Sequence, residues 1–110
     1  MLWVYMTFPD EDTAVAVGRH LVSERLAGCF NVLGSGRSVY VWEGALEEGR
    51  EVYAVAKTTS ERWPALEAAV VSRHPYACPC ILAFESAAGH GPWLTWLSEA
   101  VGGGVGGTDR

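Results

Sequence analysis

The chain has 110 residues, a formal net charge of -5 and 49% hydrophobic residues. This is one domain of ordinary size with enough apolar material for a real core, which excludes a disordered chain. There is no basic run, so neither nucleic acid nor an anionic membrane surface is an expected partner, and no apolar run approaches the ~20 residues that cross a bilayer.

Residues 2–8 are aromatic and β-branched and read as a strand. They lack a basic start and a small-residue cleavage site, and Pro9-Asp10-Glu11-Asp12 follows at once, which is not the pattern of a signal peptide. Asp10 can cap a helix whose first turn carries Glu11 and Asp12, with Ala14, Val17, Gly18, Leu21, Val22 and Leu26 at helical spacing and Gly28 ending the run. Cys29–Leu33 resumes as a strand, Gly34-Ser35-Gly36 marks a bulge or bend, and Ser38–Glu43 continues extended. A turn is expected near Glu47-Glu48-Gly49, before a Val- and Tyr-rich strand over Glu51–Thr59. Thr59 or Ser60 is the expected cap of a second helix with Trp63, Leu66 and Val70 on its buried stripe, ending near His74 because Pro75 disfavours helical geometry before it. Cys80–Glu85 is the fourth major strand. Gly91-Pro92 opens a last helix carrying Trp93, Leu94, Trp96, Leu97, Ala100 and Val101. The expected organisation is a domain over residues 1–101 and a flexible glycine-rich tail over 102–110.

The order strand, helix, strand, strand, helix, strand is that of an α+β, ferredoxin-like βαββαβ sandwich, here with an extra C-terminal helix. Two helices cover one face of a four-stranded antiparallel sheet, and the other face should then alternate to polar. It does not: Leu2–Met6, Val39–Trp42, Val52–Ala56 and Ile81–Phe84 are apolar on both parities. One short helix is too little to cover that face, so sheet-to-sheet association between copies is expected.

The segment His74-Pro75-Tyr76-Ala77-Cys78-Pro79-Cys80 concentrates an imidazole, a phenol and two thiols on a corner held by two prolines. His74 either ends a helix or ligates a metal. Cys78 and Cys80 are either edge thiols or soft ligands, and are too close to each other to staple a fold. With three cysteines in all, reduced thiols in a cytoplasmic setting fit. Tyr40, Trp42 and Tyr76 can wall an aromatic cleft or pack an interface, which makes Trp42 a buried residue in the assembly. Lys57 ends an apolar strand, so its ammonium must reach solvent, a carboxylate such as Glu43, or an anionic ligand. No Ser/His/Asp or paired-carboxylate constellation is discernible, so no enzyme is expected.

Several segments together resemble the CutA divalent-cation tolerance family. They are Arg25–Val32, Ser38-Val39-Tyr40-Val41-Trp42-Glu43-Gly44, Glu51 with Lys57-Thr58-Thr59, His74-Pro75-Tyr76 with Pro79, and Trp93-Leu94 with Trp96-Leu97, in order over about residues 3–101. The resemblance implies a homotrimer, a role in divalent-ion tolerance and the response to metal ions, and copper as a possible rather than obligatory cofactor. Copper-binding members carry a Cys where this chain has Met6, and two adjacent histidines where it has Arg73 and His74. A weak, soft copper site from Met6, His74 and Cys80 is what the resemblance leaves. The family shares its architecture with the PII signalling proteins, which makes a regulator with a small ligand or partner in inter-subunit clefts near Tyr40, Trp42, Glu43, Lys57 and Tyr76 the alternative.

Overall fold

A computed structural model describes residues 1–102; residues 103–110 of the expected tail lie outside the described residues. The elements are β1 (Leu2–Phe8), α1 (Glu11–Ser23), β2 (Cys29–Trp42), β3 (Ala45–Thr58), α2 (Trp63–Arg73), β4 (Ile81–Glu85) and α3 (Gly91–Val101). One antiparallel sheet in the order β2-β3-β1-β4 carries them, the order of a ferredoxin-like sandwich.

Strand alternation sorts β1 between two environments. Val4, Met6 and Phe8 face the helices and have no accessible surface, packed with Ala14, Val17 and Leu21 of α1 and Leu66 and Val70 of α2. Trp3, Tyr5 and Thr7 point to the opposite, helix-free face. Gly18 lets the aromatic layer close, since a Cβ there would sit 2.3 Å from the Phe30 ring.

Helix ends depart from the expected stops in two places. Asp10 caps α1 as expected, its side chain accepting from Thr13 N–H at 2.7 Å. But α1 ends at Ser23 rather than at Gly28: Leu26 N–H donates back to the Leu21 carbonyl at 2.8 Å, and Arg25 takes the left-handed turn at φ 57°. Gly28 is needed instead for packing, because a Cβ would meet Leu97 of α3 at 2.3 Å. The start of α2 has no side-chain cap; the Thr59 carbonyl, not a Thr59 or Ser60 hydroxyl, accepts from Arg62 and Trp63 N–H.

The hairpin turn also lies elsewhere. Glu43 and Gly44, with φ of 50° and 81°, form a two-residue loop pairing Trp42 with Ala45, and Glu47-Glu48-Gly49 lies inside β3. Two consecutive positive φ values match the twist of a hairpin better than the wider turn suggested by the glutamates. β1 pairs with β3 only over Val52–Thr58, so Ala45–Glu51 and the facing Gly36–Trp42 project as a two-stranded arm. The molecule is accordingly elongated, 48 × 26 × 23 Å.

At Leu33 the register slips by one: Val32 pairs with Ala54 but Gly34 with Tyr53. Even-numbered residues of β2 face the helices before this bulge and the helix-free side after it. Ser38, Tyr40 and Trp42 therefore share a face with Tyr5, Glu51 and Tyr53. α3 does not cover that face, where Leu82 and Phe84 are both half exposed.

Candidate functional site

A cavity of about 620 Å³ opens where the arm leaves the sheet. Its floor is the helix-free face of β1 and the arm, with Tyr5, Thr7, Ser38, Tyr40, Trp42 and Glu51; its wall is the corner Pro75–Cys80. The corner is pinned by His74. This residue ends α2, its ring stacks on Phe8 with centroids 4.8 Å apart, and Nε2 lies 2.7 Å from the Thr7 carbonyl oxygen. The Tyr76 backbone N–H donates to Nδ1 at 3.1 Å. These partners assign the hydrogen to Nε2, which donates to Thr7, and the lone pair to Nδ1.

Tyr76, so placed, sends its hydroxyl across the cavity to donate to Glu51 Oε2 at 3.1 Å. Burial, followed by the hydrogen bond to Glu51 and its negative charge, pushes the Tyr76 phenol up to about 12. The same surroundings act on its neighbours. Burial and Glu51 raise the Cys80 thiol, and burial, Cys80, Tyr53 and Glu51 raise the Tyr5 phenol. All three groups are thereby held in their neutral, protonated forms. Tyr53 supports the floor, stacking on Tyr5 and lying 3.3 Å from the Ser38 hydroxyl. Gly36 leaves room for the Tyr53 ring, which a Cβ would approach to 2.7 Å.

The fold brings some of the expected residues together and separates others. Tyr40, Trp42 and Tyr76 do share one cavity, and Cys80 opens onto it with Cys78. Glu43 does not, because it forms the turn at the tip of the arm. Lys57 does not either: it pairs with Trp3 in the register of the sheet and its ammonium donates to the Asn31 carboxamide, not to Glu43. Trp42 is 45% exposed in the single chain, so it walls the cavity without being buried there.

The soft copper set is not assembled within the chain. The Met6 sulfur lies in the helix-side core, whereas Cys80 opens on the opposite face, as period-two alternation about β1 and β4 requires. His74 has one ring nitrogen donating and the other accepting, so no lone pair remains for a metal. Among the described residues no group of three His, Cys, Asp or Glu side chains is placed to hold a metal ion. Tyr5, Thr7, Ser38 and Glu51 were not singled out from the sequence as site residues; the signal for them was their shared face, which emerges only once the bulge at Leu33 is placed.

A ferredoxin-like sandwich with a projecting hairpin and a cavity at its base defines the class of protein. The family model described as CutA1 divalent ion tolerance protein matches residues 2–100. The chain is 38% identical over 99 residues to the divalent-cation tolerance protein CutA of Thermus thermophilus, covering 90% of this chain and 96% of that one. It is 39% identical over 99 residues to its namesake in Pyrococcus horikoshii, with the same coverage. Among solved structures, the crystal structure of CutA1 from Pyrococcus horikoshii superposes with a TM-score of 0.85 at 37% identity, covering 91% of this chain and 97% of that one. The structure described as the periplasmic divalent cation tolerance protein CutA of Archaeoglobus fulgidus gives 0.88 at 31%, covering 92% and 99%. The chain belongs to the CutA1 divalent ion tolerance family. No helix among the described residues is long and apolar enough to cross a membrane.

Proposed function

We propose that this chain serves divalent-cation tolerance as a homotrimer, in which each copy's arm and helix-free sheet face are covered by the next and the cavity beside Tyr76 and Glu51 receives a small ligand. The observation that carries the reading is the arm itself. Leu46 is 74% and Val41 69% exposed, beside Val39, Tyr40 and Trp42, in a protein whose helix-side core is fully closed. An exposed two-stranded ribbon of this composition calls for a partner surface. The likeness to the CutA family supports three copies.

A copper site built from Met6, His74 and Cys80 is not part of this reading, because Met6 and Cys80 lie on opposite sides of the sheet and both ring nitrogens of His74 are engaged. What the cavity supplies is a ligand site of the kind a regulator uses. Three free cysteines support a reducing, cytoplasmic setting.

Light scattering coupled to size exclusion, at micromolar protein, tests the assembly: the mass of three chains is expected, and that of one chain would end the reading. Growth in excess copper, zinc or cobalt of a bacterial host lacking its own family member tests the role. Expression of this chain should restore growth, and failure of folded, trimeric protein to do so would count against a part in tolerance.

A further inference from the structure

We propose that His74 is an acid-sensitive latch: its neutral imidazole holds the corner Pro75–Cys80 closed, and a proton on Nδ1 releases that corner. Every contact involved lies within one chain, so the latch needs neither a ligand nor a second copy. The corner has few attachments. Among the described residues, no backbone–backbone hydrogen bond outside the helices and strands reaches residues 75–80, and Pro75 and Pro79 have no N–H to donate. Two bonds from Tyr76 tie it down: the backbone N–H to His74 Nδ1 and the hydroxyl to Glu51 Oε2, each at 3.1 Å.

The imidazole is the fixed side of the first bond. The His74 backbone N–H donates to the Val70 carbonyl at 2.9 Å, and Nε2 donates to the Thr7 carbonyl at 2.7 Å. The ring lies 4.8 Å from the Phe8 centroid and 4.7 Å from that of Tyr76, in a residue only 8% exposed. Because Nε2 already carries a hydrogen, an incoming proton must take the Nδ1 lone pair. Nδ1 then becomes a donor facing the Tyr76 N–H donor, and a positive charge appears in a buried site. The Phe8 and Tyr76 rings attract an imidazolium but accept neither hydrogen; the two opposed donors are satisfied only when the corner swings away and water enters. Imidazoles are the side chains that ordinarily change charge over about pH 8 to 5. The other groups around the corner are static there. The Tyr76 phenol is pushed up to about 12, the Cys80 thiol and Tyr5 phenol are raised, the Asp10 carboxyl, whose charge reaches Tyr76, is lowered, and Arg73 stays charged. No carboxylate is among the partners of His74 to hold the added proton. The latch is therefore closed at the alkaline end of this range and opens as pH falls.

The test is nitrogen NMR on the full chain, in buffer containing EDTA, from about pH 8 to 5. At the alkaline end the His74 ring should show a single Nε2–H tautomer, and the Tyr76 amide should be protected from hydrogen exchange. On acidification, protonation of Nδ1, a loss of Tyr76 amide protection of about tenfold or more, and shifts of the Ala77, Cys78 and Cys80 amides should share one midpoint. The Met6 and Phe8 amides should keep their protection, which separates release of the corner from unfolding. His74→Asn, whose carboxamide oxygen can accept from the Tyr76 N–H and does not titrate, should stay closed throughout; His20→Gln and His90→Gln should leave the transition in place. Should His74→Asn fail to fold, the native titration decides alone. A His74 imidazolium with Tyr76 protection intact, a ring still neutral at the acid end, a corner midpoint apart from that of the His74 nitrogens, or simultaneous loss of protection in β1 would each overturn the latch.

Discussion

Phe8 and Trp42 are both large aromatic side chains on strands of one sheet, yet they live in different regimes. Phe8 has no accessible surface, being closed in by Phe30, His74 and the helix layer. Trp42 stands near the end of a two-stranded arm that neither β1 nor a helix reaches, and keeps 45% of its surface exposed. The core around Phe8 is complete within one chain and follows from local alternation against two amphipathic helices. The arm has the composition of an interior without an interior to occupy. The body of the sheet is thus stabilised by the chain itself, whereas the arm finds no such covering within the chain. The cavity lies where these two regimes join, so its walls combine a half pinned by His74 with a half contributed by the exposed arm.

The largest effect should come from the body. Phe8→Ala is expected to lose about 3–5 kcal/mol in urea unfolding, by the same amount at every protein concentration. A cost that grows with dilution would show that the body also depends on a partner. The arm should respond in the opposite manner. Trp42→Ala is expected to cost about 1 kcal/mol under conditions where copies are dissociated, because the side chain is half exposed there, and more, up to the ~3–5 kcal/mol of a buried aromatic, where they associate. Sedimentation velocity across a dilution series of Trp42→Ala and of Leu46→Glu checks this. An assembly unchanged in both variants would make the arm's exposure incidental.

At the junction, Tyr76→Phe removes the hydroxyl donated to Glu51 and should cost about 0.5–1.5 kcal/mol at neutral pH, toward the lower end because the group is partly solvated. Its pH signature is more specific. The folded phenol is raised to about 12 from its ordinary 10.0, so the folded state holds the proton more tightly. The associated stability is fully present below pH 10.0 and is lost as pH rises toward 12. Chemical unfolding across that window should show a decline in the native protein that is reduced in Tyr76→Phe; identical profiles would remove the Tyr76–Glu51 contact as its source. The smallest effect belongs to the cap of α1. Thr13 N–H holds the Asp10 carboxyl below its ordinary 3.8, so the folded state holds that proton less tightly. Its contribution is present above pH 3.8 and is lost as pH falls through the lowered value. Asp10→Ala should lower the melting temperature slightly at pH 7 and converge with the native protein in acid. A gap that persists at pH 2 would assign the effect to something other than the carboxylate.

Much of the fold was legible in the chain because its signals are local. Alternation at Val4, Met6 and Phe8, the Asp10 cap with its acidic first turn, helical spacing in α1 and α2, Pro75 closing α2 and Pro92 opening α3 all act within a few residues, and so element order and sheet class follow from them. The interrupted strand at Gly34-Ser35-Gly36 was legible for the same reason; which side the chain takes after it was not. That depends on Leu33 being left unpaired opposite β3, and pairing is settled between strands, not within one. The hairpin turn at Glu43-Gly44 likewise reflects the twist shared by β2 and β3, against a composition that pointed to Glu47–Gly49. The site was the least legible part. Met6, His74 and Cys80 are equally good soft-metal residues as letters, but the sheet passes between Met6 and Cys80, and both nitrogens of His74 are taken up by the Thr7 carbonyl and the Tyr76 N–H. Residue type and short-range period are properties of the sequence by itself. Which side chains share a face, and therefore a charge and a cavity, is a property of register and packing over long range, and the tertiary structure alone decided that Glu51 rather than Lys57 faces Tyr40, Trp42 and Tyr76.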